Sequence, residues 1–211
     1  APIIFALLLN EMTNKKMAGA IKTISYMPYF ISLVVICAMI KTFVSGDGLI
    51  GGAVNSLLGT QGSLLDRPNC FVPIYIISNI WQGVGWDSII YVAALSGVSM
   101  ELYEAAEIDG CGRWNKMRYV SLPGIATTII IMFILKVGGM LSVGYEKIIL
   151  LYNPLTYETA DVINSYVYRK GIQEFNYSYS TAVGLFNSVV NFLLLIIANS
   201  VSKKVSDTGI M

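Results

Sequence analysis

Apolar positions in this chain come in long unbroken blocks, not at the i, i+3, i+4 spacing of a half-buried helix or in the alternation of a half-buried strand. Four such blocks stand out: Ile24 to Val44, Phe71 to Val98, Gly124 to Val143 and Thr181 to Val201. A helix of about 20 apolar residues rises ~30 Å, the thickness of a bilayer's hydrocarbon core. Strands usually run to roughly 3–10 residues, and barrel strands alternate polar with apolar positions. The blocks fit neither, so the pattern predicts four complete membrane-spanning helices. A fifth block, Ala1 to Leu9, rises only ~14 Å as a helix and is read as the end of a helix whose beginning lies upstream. Pro28 is placed in the first turn of its span, where a missing N–H costs least. The second block carries Asn79, Gln82, Gly83, Gly85 and Asp87, which leaves its straightness open, and Pro123 marks the start of the third.

Composition agrees with a bilayer protein. Of 211 residues, 55% are hydrophobic and 13% charged, which excludes disorder and argues against a water-soluble domain. A net charge of +1 provides no field for gathering nucleic acid, so no nucleic-acid partner is expected. Histidine is absent, which removes Ser-His and Cys-His catalysis and the HExxH zinc helix. Cys37, Cys70 and Cys111 lie far apart without CxxC spacing and are read as packing residues. No metal site is expected.

Orientation follows from the basic residues between the blocks. Asn10 to Thr23, Ser99 to Pro123 and the tail after Val201 hold eight of them, against four in Ser45 to Cys70 and Gly144 to Ser180. The positive-inside rule therefore puts the first set, and the C-terminus, in the cytoplasm. Residues 144–180 become an external loop.

The cytoplasmic connection SMELYEAAEIDGCGRWNKMRYVSLPGI is too long and too structured in composition for a simple connector. Ser99 can cap a helix over Glu101 to Ile108, the early Glu101 and Glu104 suit its dipole, and Gly110 supplies a left-handed stop. A second short helix fits Gly112 to Val120, before Leu122 and Pro123 reset the chain direction. Ala105 and Ala106 beside Leu102 leave a thin, flat surface open to close approach. Two readings fit this helix-elbow-helix: a docking element for another protein, or an amphipathic interfacial loop.

The residues Glu104-Ala105-Ala106, three more, Gly110, nine more, Val120, one more, then Leu122-Pro123 resemble the EAA loop of the membrane permeases of binding-protein-dependent ABC importers. At average residue frequencies the pattern would arise by chance in roughly one chain of this length in a hundred thousand. Glu101-Leu102-Tyr103 and Ile108-Asp109-Gly110 are similar to the carbohydrate-uptake branch, and YNPLTYETADVINSYVYRKG with YSYSTAVGLFNSVVN resembles LplB-like oligosaccharide permeases. Met100 stands where that family often has proline, and Val120 where it usually has isoleucine.

The resemblance implies an all-α polytopic bundle of the type I importer class, with more membrane sequence before Ala1. The whole chain would be one transmembrane permease domain of the bacterial plasma membrane, with residues 99–123 as its coupling loop. That loop would seat in a cytoplasmic ABC ATPase dimer, with Glu104 and Asp109 pairing with it, Ala105 and Ala106 in close contact and Gly110 setting the elbow. Leu122 and Pro123 would tie the loop to the next span. A second permease subunit, an external or periplasmic solute-binding protein and an oligosaccharide substrate are implied as further partners. The chain contains no GxxxxGK[ST] pattern, so ATP and Mg²⁺ would be bound by the ATPase, and the protein is expected to be no enzyme and to carry no cofactor of its own.

Asp87 and Lys136 are charged residues inside blocks, each costing ~2.5–3.5 kcal/mol if central and lipid-facing, so they are expected to face protein or water. With Trp81, Gln82 and Trp86 they offer the aromatic faces and hydrogen bonds of a saccharide path. Packing rings, a helix-to-helix amide bond and a structural ion pair explain the same residues and form the simpler reading. A stand-alone ion-coupled carrier using Asp87 and Lys136 is the alternative function. The external loop holds Tyr145, Tyr152, Tyr157, Tyr166, Tyr168, Tyr177 and Tyr179, an aromatic-belt composition. A surface helix is expected there over Asp161 to Lys170, capped by Thr159 and stopped at Gly171. Gly83, Gly85, Gly138 and Gly139 are read as close-packing points.

Overall fold

The computed structural model describes residues 1–141 and 144–206, and every regular element among them is helical, as the apolar blocks predict. In order these are α1 (Pro2–Asn10), α2 (Lys15–Tyr26), α3 (Leu33–Val44), α4 (Leu49–Leu58), α5 (Pro68–Ser96), α6 (Met100–Ile108) and α7 (Arg113–Lys116). After these come α8 (Leu122–Gly124), α9 (Ala126–Gly138), α10 (Tyr145–Leu151), α11 (Tyr157–Ala160), α12 (Ile163–Tyr168) and α13 (Tyr177–Ser206).

Side-chain caps and backbone-permissive residues set many of the boundaries. The Asn14 carboxamide oxygen accepts from the N–H groups of Lys16 and Met17 at 3.1 and 3.2 Å and opens α2. Gly59, at φ +64°, closes α4 in the left-handed region. Pro68 starts α5 at a position whose N–H has no helical partner.

Several boundaries differ from those expected. The Ile24 to Val44 block is not one helix: α2 ends at Tyr26, Met27–Phe30 forms a 3-10 turn, and α3 starts at Leu33. Pro28 has no N–H to donate to the Ile24 carbonyl and its ring crowds that carbonyl, so the helical ladder stops there. The apolar stretch instead runs on past Val44, so Leu33–Leu58 is long and apolar enough to cross a membrane. By contrast α5 stays helical through Gly83 and Gly85. The third block yields only the 13 residues of α9, and its expected last residues, Ser142 and Val143, lie outside the described ones. The last block is longer than expected, 30 residues in α13.

Among the described residues two helical stretches, Leu33–Leu58 (α3 and α4 with the turn between them) and Tyr177–Lys203, are each long and apolar enough to cross a bilayer, and two bent pairs raise that number to four if each counts as one span. The pairs are α5 with α6, bent by 73°, and Arg113–Gly124 with α9, bent by 63°. Along α13, Leu185, Phe186 and Phe192 are each more than 60% exposed. A helix presenting such side chains without protein cover suits hydrocarbon.

The surface helix expected over Asp161 to Lys170 is α12 plus a π turn over Arg169–Gln173. Its first turn is held by Ser165, whose hydroxyl accepts from the Val162 N–H at 2.9 Å. Thr159 does not cap it, because its hydroxyl donates to the carbonyls of Pro68 and Thr156. Nor does Gly171 stop it: the wide turn continues to Gln173 and ends before Phe175, at φ +58°.

Contacts divide the chain into two units: Ala1–Phe30, Ile80–Gly138 and the described part of Leu194–Met211 form one, Ile31–Asn79 and Gly139–Leu193 the other. The first has a core of Ala6 and Leu7 from α1, Tyr91 and Leu95 from α5, and Ile125. In the second, Ile36, Cys37, Ile40 and Val44 of α3 pack with Leu64, Leu65, Phe71, Ile148 and Leu151. Cys37 thus packs as expected, and none of the three cysteines is bonded to another.

Candidate functional site

All the residues singled out for the coupling loop and for the intramembrane polar cluster lie in the first unit. The loop starts at Ser99, whose hydroxyl accepts from the Glu101 N–H at 3.3 Å. Helix α6 comes next and closes on Gly110, φ +75°, with the Gly110 N–H donating to the Glu107 carbonyl at 3.0 Å and the Cys111 N–H to that of Ala106 at 2.9 Å. These two bonds make a Schellman closure, which needs a residue at ease with positive φ at that position. The glycine elbow is therefore set by hydrogen-bond geometry as well as by composition.

Three side-chain bonds stiffen the elbow and the turns after it. Lys116 donates to Glu107 at 2.6 Å and joins the two halves of the loop. That contact holds the Glu107 carboxyl below its ordinary range, the hydrogen bond contributing most and the lysine charge next. The hydroxyls of Tyr103 and the fully buried Ser121 share a bond of 2.9 Å, tying α6 to the residue before Leu122. Arg113 donates to the Thr13 hydroxyl at 3.0 Å, which anchors α7 to the connection after α1.

Between α7 and α8 the chain forms a π turn over Met117–Ser121. The expected second helix, Gly112 to Val120, is thus an α turn continued by a wider one. Leu122 and Pro123 occupy α8, and the chain bends at Ile125 into α9. At Gly124 an added Cβ would lie 2.8 Å from a Val98 methyl, so the residues flanking the two ends of the loop pack directly on each other. Nothing in the sequence pattern pointed to that clasp or to the Tyr103–Ser121 bond.

Glu104, Ala105, Asp109 and Gly110 are exposed, together with Met100, Leu102 and Ile108 at 70, 54 and 88%. Ala106 is buried at 9% exposure and packs inside its own chain, so the flat face expected of both alanines belongs to Ala105 alone. The helical step of about 100° between neighbours separates them. Apolar side chains left uncovered on a short helix mark a surface that another body covers.

In the polar cluster, Asp87 of α5 and Lys136 of α9 form an ion pair at 3.9 Å, with side chains 42 and 74% exposed. Trp86 stacks on Tyr29 with centroids 4.6 Å apart and planes 5° from parallel, and Phe30 meets it edge-on at 5.6 Å. Trp86 and Asp87 share a shallow hollow of about 440 Å³ with Ile89, Ile90 and Met132. Trp81, 46% exposed, and the half-buried Gln82 are outside that lining. The hollow and the ion pair together join Trp86, Asp87 and Lys136.

Among the glycines read as close-packing points, Gly85 and Gly138 are such. A Cβ on Gly85 would lie 2.1 Å from the Ser25 carbonyl oxygen, and one on Gly138 2.6 Å from a Leu195 methyl. Gly83 has only the Asp87 carboxylate near, at 3.7 Å.

The second unit holds polar groups that the block pattern passed over. Lys147, 3% exposed, donates to the Asn79 carboxamide oxygen at 2.9 Å. Its spacing with Ile148 and Leu151 on α10 is the inward stripe of a short helix, a signal hidden by counting it among loop charges. Arg169 pairs with Asp161, and its guanidinium lies 4.7 Å from the Tyr157 ring centroid and 5.5 Å from that of Tyr166. Part of the tyrosine-rich loop is therefore folded around a cation.

Among curated proteins, the chain is 41% identical over 211 residues to Protein LplB of Bacillus subtilis (strain 168), covering 100% of this chain and 66% of that protein. It is 38% identical over 213 residues to the polygalacturonan/rhamnogalacturonan transport system permease protein YteP of the same organism, covering 99 and 65%. The chain thus spans about two thirds of the length of these relatives. Among solved structures it is similar to a chain of a bacterial ABC transporter involved in the import of the acidic polysaccharide alginate. The TM-score is 0.93 at 42% identity, over 97% of this chain and 72% of that one. The same TM-score and identity relate it to a bacterial alginate ABC transporter in complex with an alginate pentasaccharide-bound periplasmic protein. The model of the binding-protein-dependent transport system inner membrane components matches residues 2–207, and the chain belongs to that family.

Proposed function

We propose that the protein is the permease subunit of an ABC importer for an oligosaccharide, and that residues 99–123 couple it to a cytoplasmic ATPase dimer. One observation carries this reading: a short helix with exposed Glu104, Ala105 and Asp109 stands on a closed, internally bonded elbow whose flanking residues pack on each other. A rigid knuckle of that kind transmits displacement, whereas a floppy amphipathic loop absorbs it. Glu104 and Asp109 present carboxylates to the ATPase, Ala105 permits close approach, Ala106 seats the helix, and Leu122 and Pro123 lead the motion into α9. ATP and Mg²⁺ belong to the ATPase, and this chain carries no cofactor. The assembly also contains a second permease subunit and an external solute-binding protein, as the relative crystallised with a periplasmic protein suggests. In this topology residues 144–180 face outward and the C-terminus faces the cytoplasm.

The names of the relatives direct the choice of substrate to test. Oligosaccharides of alginate and of polygalacturonan come first. Trp81, Gln82, Trp86, Asp87 and Lys136 are assigned to the pathway only as far as Asp87 and Lys136 pair beside Trp86. The ion-coupled carrier is the weaker reading, since it leaves the braced loop without a purpose. Purification of the full-length protein in mild detergent tests the assembly. We expect an ABC ATPase, a second permease and a solute-binding protein to accompany it, and recovery of the permease alone from membranes that contain all three would contradict the proposal.

A further inference from the structure

The coupling segment also forms one wall of a groove that the docking role leaves unused. Ile4 and Leu8 of α1 face Trp114, Met117, Arg118 and Leu122 across a space of about 400 Å³. That volume lies in the range of small-molecule sites, roughly 300–1,000 Å³. The groove is fixed in place, because the Arg113 bond to Thr13 holds the turn carrying Trp114 against the end of α1. Its lining is apolar apart from Arg118.

Arg118 is exposed, and among the described residues no hydrogen bond or ion pair engages it; its guanidinium lies 5.6 Å from the Tyr119 ring centroid. Trp114 and Tyr119 are 71 and 66% exposed, rings of the type that settle at a membrane–water boundary. An apolar slot with one available guanidinium at its side is complementary to a hydrocarbon tail carrying an anionic head. A planar fork of N–H donors suits phosphate oxygens. Under the topology proposed above, on which this inference rests, the groove opens at the cytoplasmic leaflet, where anionic lipids concentrate.

We propose that this groove binds one anionic phospholipid, an acyl chain lying between α1 and the turn at Met117 and its phosphate on Arg118. The bound lipid fills the space behind the coupling segment. The occupant is a lipid and not a protein segment because the lining pairs apolar side chains with a single cation and, the Trp114 indole aside, offers no other polar side chain to a peptide backbone.

The test uses the full-length protein in its assembled complex, in phosphatidylcholine vesicles containing a phosphatidylglycerol with a diazirine in its acyl chain. A phosphatidylcholine with the same diazirine is the comparison. After irradiation, label is expected on peptides containing Ile4 to Leu8 and Trp114 to Met117, about fivefold more from phosphatidylglycerol, the preference expected of one basic residue at a membrane surface. Arg118→Gln should bring the two probes to parity. Leu8→Trp, which fills the slot, should remove label from these peptides while leaving it on α13. Equal labelling of the unaltered protein by both probes would mean ordinary boundary lipid and would overturn the proposal. So would absence of label from these peptides, which would mean that protein covers the groove. Labelling does not require transport: label without ATP-driven uptake would sink the function proposed above and leave the lipid site standing. Uptake without label would do the reverse.

Discussion

Gly110 is the residue on which the loop's shape turns. At φ +75° with two closing bonds, it cannot accept a β-branched side chain without strain of about 1–2 kcal/mol. We expect Gly110→Val to open the elbow and abolish ATP-driven uptake, while circular dichroism in detergent still reports full helicity; normal uptake would show that the closure does not matter. The Glu107–Lys116 bond makes a second expectation at this scale. Because the folded state lowers the Glu107 pKa, the tie is fully present above the ordinary carboxylate value and is lost as pH falls through the lowered one. Amide exchange in α6 should therefore be insensitive to pH-linked loosening between pH 6 and 8, once the intrinsic rate is removed, and should rise only in acid. In Glu107→Gln the acid step should vanish; its persistence would place the titration elsewhere. The sequence alone made Gly110 legible because few residues take positive φ. It could not distinguish Ala105 from Ala106, since which alanine faces out depends on where the chain folds back.

Among the elements, long apolar stretches identified themselves, and punctuation did not. Both α5 and α13 overlap the blocks hydropathy placed there, but α3 starts nine residues after Ile24 because Pro28 interrupts the helical hydrogen bonding between α2 and α3. Lys147 was hidden for a related reason: a charge outside an apolar block counts as exposed until the short amphipathic helix around it is recognised. Tertiary clasps such as Gly124 on Val98 leave no periodic trace at all. Helix crossings obey the same logic at Gly85, where α2 approaches so closely that a Cβ would meet the Ser25 carbonyl oxygen. Gly85→Leu should separate α2 from α5 and cost about 1–3 kcal/mol as overpacking, read as a lowered melting temperature of the purified protein in detergent. An unchanged melting temperature would mean that the crossing is looser than described.

For the whole molecule, the family was legible in the sequence because Glu104-Ala105-Ala106, Gly110 and Leu122-Pro123 stand at a spacing that average composition rarely produces. The proposed pathway was not, because residues grouped by type along one block separate in space: Asp87 and Lys136 meet, while Trp81 and Gln82 stay outside the hollow that Trp86 lines. Asp87→Asn should remove the ion pair and change saccharide-dependent uptake more than it changes recovery of the assembled complex; an equal loss of both would make the pair structural. The central claim is that Ala105 and its neighbours meet an ATPase in the cytoplasm. Its most direct measurement is site-specific photo-crosslinking in living cells, with a photoreactive amino acid at Ala105 of the full-length protein and, as a control, at Leu57, which is 85% exposed in the other unit. A cross-link to an ABC ATPase from Ala105 and none from Leu57 is the predicted result. Capture of lipid alone from Ala105, with the ATPase present in the same cells, would contradict the account.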